Sequence, residues 1–437
     1  MGVYSTIFRF IGSIFVFIWN CFIGLINRIL LFWNKLVRLH NNRVRRGVTR
    51  RRRRTVEQLF PVNFPVSNTV ISGGHKAIRA KCMAQIASNA HVQGAQTIVI
   101  HENNAWLAPE LYAKISPKDV VAIDAGHARL EPFRNYSSKE ISRFLFDSAT
   151  PSYDLKKNAN YYVEGMCEFL YHKNICPSLR SFNKCPHTQL FDKVDSLVMK
   201  GTINDTQGQE IKSKLMMGQS EQFKIESLIS DLYEQAEPLL SRSHQDCHNI
   251  GSAIAQNKVL VIDISSNTNE LLINLLLNQI RQALSKCQYL TLITDGLSSA
   301  NSEVYKKILR ERNDRCRLIV GGDDVYSVCA ADEKLFETLL GNSESFVILG
   351  HSSGTTCTRW ANNIGYYDKD EESQSYSRAM MRPSPFTAFP GSNDSVSKTY
   401  NMKREYIVTP EAINRMNPKE AYVYSHAQNR LLHTSIK

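Results

Sequence analysis

From residue 68 onward the sequence alternates short apolar, β-branched runs with longer helical stretches, and few folds accommodate that alternation. The runs fall at 68–72, 97–100, 120–124, 259–264, 289–294, 317–320 and 345–349. Nearly unbroken apolar runs joined by helix-length connections predict a parallel sheet covered by helices. One connection is much longer than the others. Residues 137–249 read as mainly helical, with 161–171, 209–214 and 221–240 as the best segments, so an all-α insertion interrupts an α/β domain. The stretch 369–403, rich in Ser, Pro, Asn and Gly and holding Pro383, Pro385 and Pro390, reads as a long surface loop. A last unit follows: a strand at 405–409, a helix at 410–416 opened by Thr409 as N-cap and Pro410 as first residue, and a closing strand at 420–426.

Ahead of this body lies an apolar stretch from Ile7 to Trp33, without a charge between Phe10 and Ile26. It reaches the roughly 20 residues that a membrane span needs. Positive charge follows the apolar run, and no small-residue cleavage site closes it, so it is not a cleavable signal. The basic block behind it predicts one span with the bulk of the chain cytoplasmic. An amphipathic helix lying on anionic lipid is the competing reading. Met1-Gly2 with Thr6 also fits a myristoylation pattern.

The formal charge of +12 belongs to this region. Twelve Lys and Arg residues precede Glu57, the first acid, which leaves 41 bases against 41 acids in the rest. The tract Arg50 to Arg54 suits lipid headgroups or DNA phosphates, and its place beside the span favours lipid. Ten cysteines without a C-x-x-C pair, in a chain large enough to build a core, point to a reducing compartment. Cys176, Cys185 and His187 lie close together but lack a fourth zinc ligand at a recognisable spacing.

Ligands of a parallel sheet bind at the carboxyl ends of its strands. There the first run meets Gly73-Gly74-His75-Lys76-Ala77 and then a helix. Strand, glycine turn, lysine and helix form the architecture of a phosphate-binding loop. Aligned on Lys76, however, Val70 and His75 occupy the glycine positions, and Ala77 stands where a hydroxyl would hold magnesium. The run 289–294 ends at Asp295, a candidate metal ligand acting through water; the next position, where a carboxylate would polarise the attacking water, is Gly296.

The order of these pieces resembles the type IV coupling proteins of conjugation and type IV secretion and their hexameric DNA-translocase relatives. Ile100-His101-Glu102-Asn103-Asn104 stands where that family has a strand followed by Asp-Pro-Lys-Gly. Ile115 to Asp124 resembles its next strand, and Leu130 to Tyr136 its Asn-Pro-Leu type turn. Ile308 to Arg312 falls at an Arg-bearing helix end, Leu340 to Ser343 at a late Gly-Asn turn, and Thr409 to Ile413 with Glu420 to Val423 at the closing helix and strand.

The resemblance implies an α/β, RecA-like P-loop NTPase-type sheet with an inserted all-α domain and an N-terminal membrane helix. The expected domains are an anchor at 1–34, a basic juxtamembrane linker at 35–56, the RecA-like domain at 57–136 and 250–437, and the insertion at 137–249. Carried residue by residue, the resemblance gives nucleotide-binding candidates Gly73, Gly74, Lys76, Asp295, Arg310 and Arg312. Lys76 would meet the β/γ-phosphates, Asp295 the magnesium through water, and Arg310 or Arg312 a neighbour's nucleotide. The structural alternatives are a solvated helix-start lysine, a strand-end cap and two exposed helix charges.

ATP and Mg2+ are the implied cofactors. Membrane lipid, DNA or a relaxosome protein, and a homo- or hetero-oligomeric ring are the implied partners, and the bacterial inner membrane is the implied location. His75, Ala77 and Gly296 predict weak or absent hydrolysis. A non-catalytic scaffold that keeps the fold without nucleotide or DNA is the alternative.

Overall fold

The structure, a computed structural model, describes residues 17–37, 58–59, 66–242, 246–264, 270–285, 287–311, 313–380, 392–426 and 430–436. The start of the apolar run, most of the 35–56 linker with Arg50 to Arg54, Arg312, and residues 381–391 of the expected loop lie outside the described residues.

The chain divides into two units, Met1–Glu57 and Gln58–Lys437. In the first, helix α1 (Phe17–Val37) has 21 residues with a mean hydropathy of 1.3 and no buried side chains. At 1.5 Å per residue it is about 31 Å long, close to the thickness of a bilayer's hydrocarbon core. By length and composition it can cross a membrane. It runs past residue 34 into the expected linker, since nothing at 34–37 breaks a helix.

The second unit opens with β1 (Gln58–Leu59), β2 (Thr69–Ser72), α2 (Lys76–Val92), β3 (Gln96–His101), α3 (Leu107–Lys114) and β4 (Val120–Ile123). Among the described residues seven α-helices follow with no intervening strand: α4 (Ser138–Ser148), α5 (Ala159–His172), α6 (Leu179–Asn183), α7 (Leu190–Met199), α8 (Asp205–Met217), α9 (Gln222–Ala236) and α10 (Ile250–Ala255). The sheet then resumes with β5 (Val259–Asp263), α11 (Glu270–Leu284), β6 (Leu290–Asp295), α12 (Glu303–Arg310), β7 (Cys316–Gly322), α13 (Val325–Val328), α14 (Glu333–Asn342), β8 (Ser345–Ile348) and α15 (Gly354–Ile364). A hairpin of β9 (Tyr366–Met380) and β10 (Ser392–Tyr406), helix α16 (Pro410–Asn414), β11 (Glu420–Ser425) and β12 (Arg430–Ser435) complete the chain.

Ten strands form one sheet in the order β1-β12-β11-β8-β2-β7-β6-β3-β5-β4. From β8 to β4 all neighbours are parallel, and β11 adds to β8 antiparallel. All seven apolar runs are strands of this parallel block. Alternate residues feed opposite faces, as the pleat requires. Val70, Ile98, Ile100 and Leu292 join the core that includes α4, α5, α9 and α11, whereas Ile71, Val99, Ile293 and Ile319 pack with α2 and α3. A polar stripe on α11 ties it to the helical segment. Asn274 donates to the Ser148 carbonyl at 3.2 Å, Asn278 to the Asp147 carbonyl at 2.9 Å, and Gln282 to Glu140 at 2.8 Å.

The expected surface loop at 369–403 is instead mostly hairpin. β9 and β10 pair antiparallel from Tyr366↔Tyr406 to Met380↔Ser392, and among the described strands neither bonds to a third. At its base the Tyr366 and Tyr406 rings stack 4.7 Å apart, with the Arg404 guanidinium over Tyr366. A polar two-stranded ribbon lacks the apolar alternation that marks a strand against a core, so its composition resembles a loop. The closing helix begins as its sequence requires: Thr409 accepts from the Ala412 N–H at 3.3 Å, with Pro410 in the first turn.

Candidate nucleotide site at the carboxyl edge

β2 ends at Ser72, which is fully buried and accepts a hydrogen bond from Trp360 Nε1 at 3.2 Å. The chain then turns through Gly73 (φ +90°) and Gly74 (φ +65°), which lie in the left-handed region where a side chain is strained. Packing demands glycine there as well. A Cβ on Gly73 would lie 2.7 Å from His351 Nε2, and one on Gly74 would lie 2.8 Å from Leu349 Cδ1. His75 caps α2, its Nδ1 accepting from the Ala77 N–H at 3.2 Å.

A phosphate cradle needs backbone N–H groups that point outward and lack protein partners. Here the Gly73 N–H donates to the Gly322 carbonyl and the Gly74 N–H to the Gly350 carbonyl, each at 3.0 Å. The turn is stitched to the ends of β7 and β8. Lys76 Nζ donates to the Asn103 carbonyl at 2.9 Å.

Asp295 ends β6 on the same edge, 1% exposed. One turn into α2, the equally buried Arg79 reaches it, Nε to Oδ1 at 2.9 Å. The same guanidinium's Nη1 donates to Asp323 Oδ1 at 2.6 Å and to the carbonyls of Gly73 and Gly74 at 3.2 and 2.9 Å. Asn104, fully buried, donates to the other oxygen of Asp295 at 2.6 Å. Gly321 makes room for this packing, because a Cβ there would lie 3.0 Å from Asp295 Oδ1 and strike Met83.

Beside Asp295, His101 ends β3 with Nδ1 3.5 Å from Asp263 Oδ1 and accepting from the Asn104 N–H at 3.3 Å. Burial holds its pKa below the ordinary value against the pull of Asp263 and Asp295. His351 is likewise shifted down by burial, and its Nε2 has no hydrogen-bond partner among the described residues.

Of the candidates read from sequence, Gly73, Gly74, Lys76 and Asp295 thus converge on one edge. Arg310 does not join them within the chain. It closes α12 beside the start of β7, at the amino ends of the strands, 3.7 Å from Asp332 Oδ2. A cleft of about 590 Å³ opens at that amino edge, between Asn68, Arg281, Glu311, Arg315 and Leu318. The residue that sequence reasoning missed is Arg79. Its signal was slight, an arginine between Ile78 and Ala80 with Lys76 and Lys81 nearby, so nothing in the local sequence set it apart from a solvated helix charge.

No protein-family model matches the sequence, nor does any curated protein. Among solved structures the chain is similar to the bacterial conjugative coupling protein TrwB in its unbound form. The TM-score is 0.51 at 13% identity, covering 87% of this chain and 88% of that one. It is similar too to TrwB in complex with a non-hydrolysable GTP analogue, with TM-score 0.51, 14% identity and coverage of 87% and 89%. The complex of TrwB with a non-hydrolysable ATP analogue gives 0.50, 13%, 87% and 89%. At such identities the likeness is one of fold. The chain has the α/β fold of the coupling proteins, carried over nearly its whole length.

Proposed function

We propose that this chain is a membrane-anchored, coupling-protein-like component of bacterial conjugative DNA transfer or type IV secretion, with weak or absent ATP hydrolysis. The coupling-protein fold and the apolar N-terminal helix support the first part. One observation carries the second: both amides of the glycine turn are engaged, by the carbonyls of Gly322 at the end of β7 and Gly350 just past β8, where a phosphate would need them. Ala77 supplies no hydroxyl, and Gly296 supplies no carboxylate to activate water. General-base help of that kind is worth roughly 10²–10⁴-fold.

In this reading the anchor holds the chain at the inner membrane and the 58–437 unit faces the cytoplasm, with 137–249 as its helical domain. It contributes a docking body to a ring or a relaxosome rather than a motor. DNA or a relaxosome protein is its partner, and turnover falls to other subunits. The closed turn also favours a second reading, a scaffold that has lost nucleotide and DNA alike.

Deleting the gene from a host that carries the conjugative element, then complementing with wild type or Lys76→Ala, tests the proposal. Transfer should fall on deletion and return equally with both chains. Unchanged transfer on deletion would refute the coupling role, and rescue by wild type alone would refute nucleotide independence.

A further inference from the structure

Magnesium, which the resemblance implies for this site, does not fit the residues present. Four oxygens converge there: Asp295 Oδ1, Asp323 Oδ1 and the carbonyls of Gly73 and Gly74. An all-oxygen set with two carboxylates is what a hard divalent ion takes. Yet all four already accept hydrogen bonds from one guanidinium, at 2.6 to 3.2 Å, and the arginine is 1% exposed. Asp295 Oδ2, the remaining carboxylate oxygen at the core of the cage, is taken by Asn104.

We propose that Arg79 is the resident cation of this site: its guanidinium stands where the fold's divalent ion would bind, and it makes the site independent of metal. A buried carboxylate needs an opposite charge, and Arg79 supplies it to Asp295 without any ion from solution. The fork of the guanidinium reaches both carboxylates and both glycine carbonyls at once, which a lysine's single ammonium could not reproduce. The carbonyls it holds belong to the glycine turn itself, so the cation also keeps that turn folded down onto β7 and β8. Arg79 is therefore a positioning residue.

This inference deepens the proposed reading of a non-hydrolysing site and rests on it. Its consequence is that removing the side chain should uncover a divalent-cation site. The full-length chain, in detergent, would be titrated with Mn2+ and followed by electron paramagnetic resonance and by thermal melting.

Arg79→Ala should bind one Mn2+ equivalent more than wild type, with a dissociation constant on the order of 10⁻⁴–10⁻³ M, typical of weak oxygen sites. Its melting point should rise with Mn2+ or with millimolar guanidinium, and both effects should vanish in Arg79→Ala/Asp323→Asn. The extra equivalent and the guanidinium rescue distinguish a cation site from a merely structural arginine.

Should Arg79→Ala not fold, wild type against Asp323→Asn remains decisive, because Asp323 is 76% exposed and its loss is tolerable. Equal Mn2+ stoichiometry in those two supports the proposal, and one equivalent lost in Asp323→Asn overturns it. No extra ion in a folded Arg79→Ala chain also overturns it, while leaving the deletion experiment on DNA transfer untouched.

Discussion

Arg79 Nε and Asp295 Oδ1 lie 2.9 Å apart, and each side chain is 1% exposed. In a fold whose relatives include a nucleotide-bound coupling protein, the carboxylate at the end of the central strand is neutralised from within the chain. That one contact explains several features at once. It engages the acid, it holds the glycine carbonyls, and it places a fixed positive charge at the foot of the helix that follows the turn.

Breaking this pair should be costly. Asp295→Ala leaves a buried guanidinium facing a single exposed carboxylate, and Arg79→Met leaves a buried carboxylate with Asn104 as its remaining side-chain donor among the described residues. Removing one partner of a buried pair costs about 3–5 kcal/mol. Chemical denaturation of the full-length chain should show that loss for each single variant and a clearly smaller cost per residue for the double variant. Losses below 1 kcal/mol would mean that the pair does not neutralise the strand end.

The glycine turn offers a second comparison. Gly73→Ala combines φ +90° with a Cβ 2.7 Å from His351, whereas Gly94→Ala has φ +77° and nothing within 4 Å. Backbone strain alone costs about 1–3 kcal/mol. Gly73→Ala should therefore lower the melting temperature clearly more than Gly94→Ala. Equal shifts would show that His351 does not press on the turn.

Glu131 carries a pH dependence. Burial raises its pKa from 4.5 to about 7 against the pull of Arg180 and Arg134, and its Oε1 lacks a hydrogen-bond partner among the described residues. Between those two values the folded state holds a proton that the unfolded state has released, so stability falls as pH rises from about 4.5 to about 7. Glu131→Gln should flatten that slope and be the more stable chain at pH 7. An unchanged slope across pH 5–7 would remove Glu131 as its source.

The anchor can be tested at its centre. Leu25→Arg places a charge midway along α1, at a cost of about 2.5–3.5 kcal/mol for insertion into a bilayer. The wild-type chain should stay with membranes through alkaline washing, and Leu25→Arg should be released in larger part. Release of the wild-type chain by the same wash would favour a helix lying on the surface.

Much of this architecture is written locally. The seven parallel strands are short apolar runs whose burial on both faces leaves an unbroken sequence signal, and Thr409-Pro410 announces the last helix through capping chemistry. The β9–β10 hairpin was not legible, because its polar sequence carries no apolar alternation. At the site, Gly73, Gly74, Lys76 and Asp295 could be found from their neighbours in sequence. Arg79 could not be assigned, since its meaning depends on Asp295 and Asp323, which lie 216 and 244 residues away. Nor does the sequence tell that the turn's N–H groups face Gly322 and Gly350, for that follows from strand order.

The central claim is that the carboxyl edge is closed to Mg2+–nucleotide. Titration calorimetry of a non-hydrolysable ATP analogue into the full-length chain, with and without Mg2+, tests it most directly. The account predicts no saturable binding in either condition and an identical trace for Lys76→Ala. Saturable, Mg2+-dependent binding that disappears in Lys76→Ala would contradict it and make the edge a working nucleotide pocket.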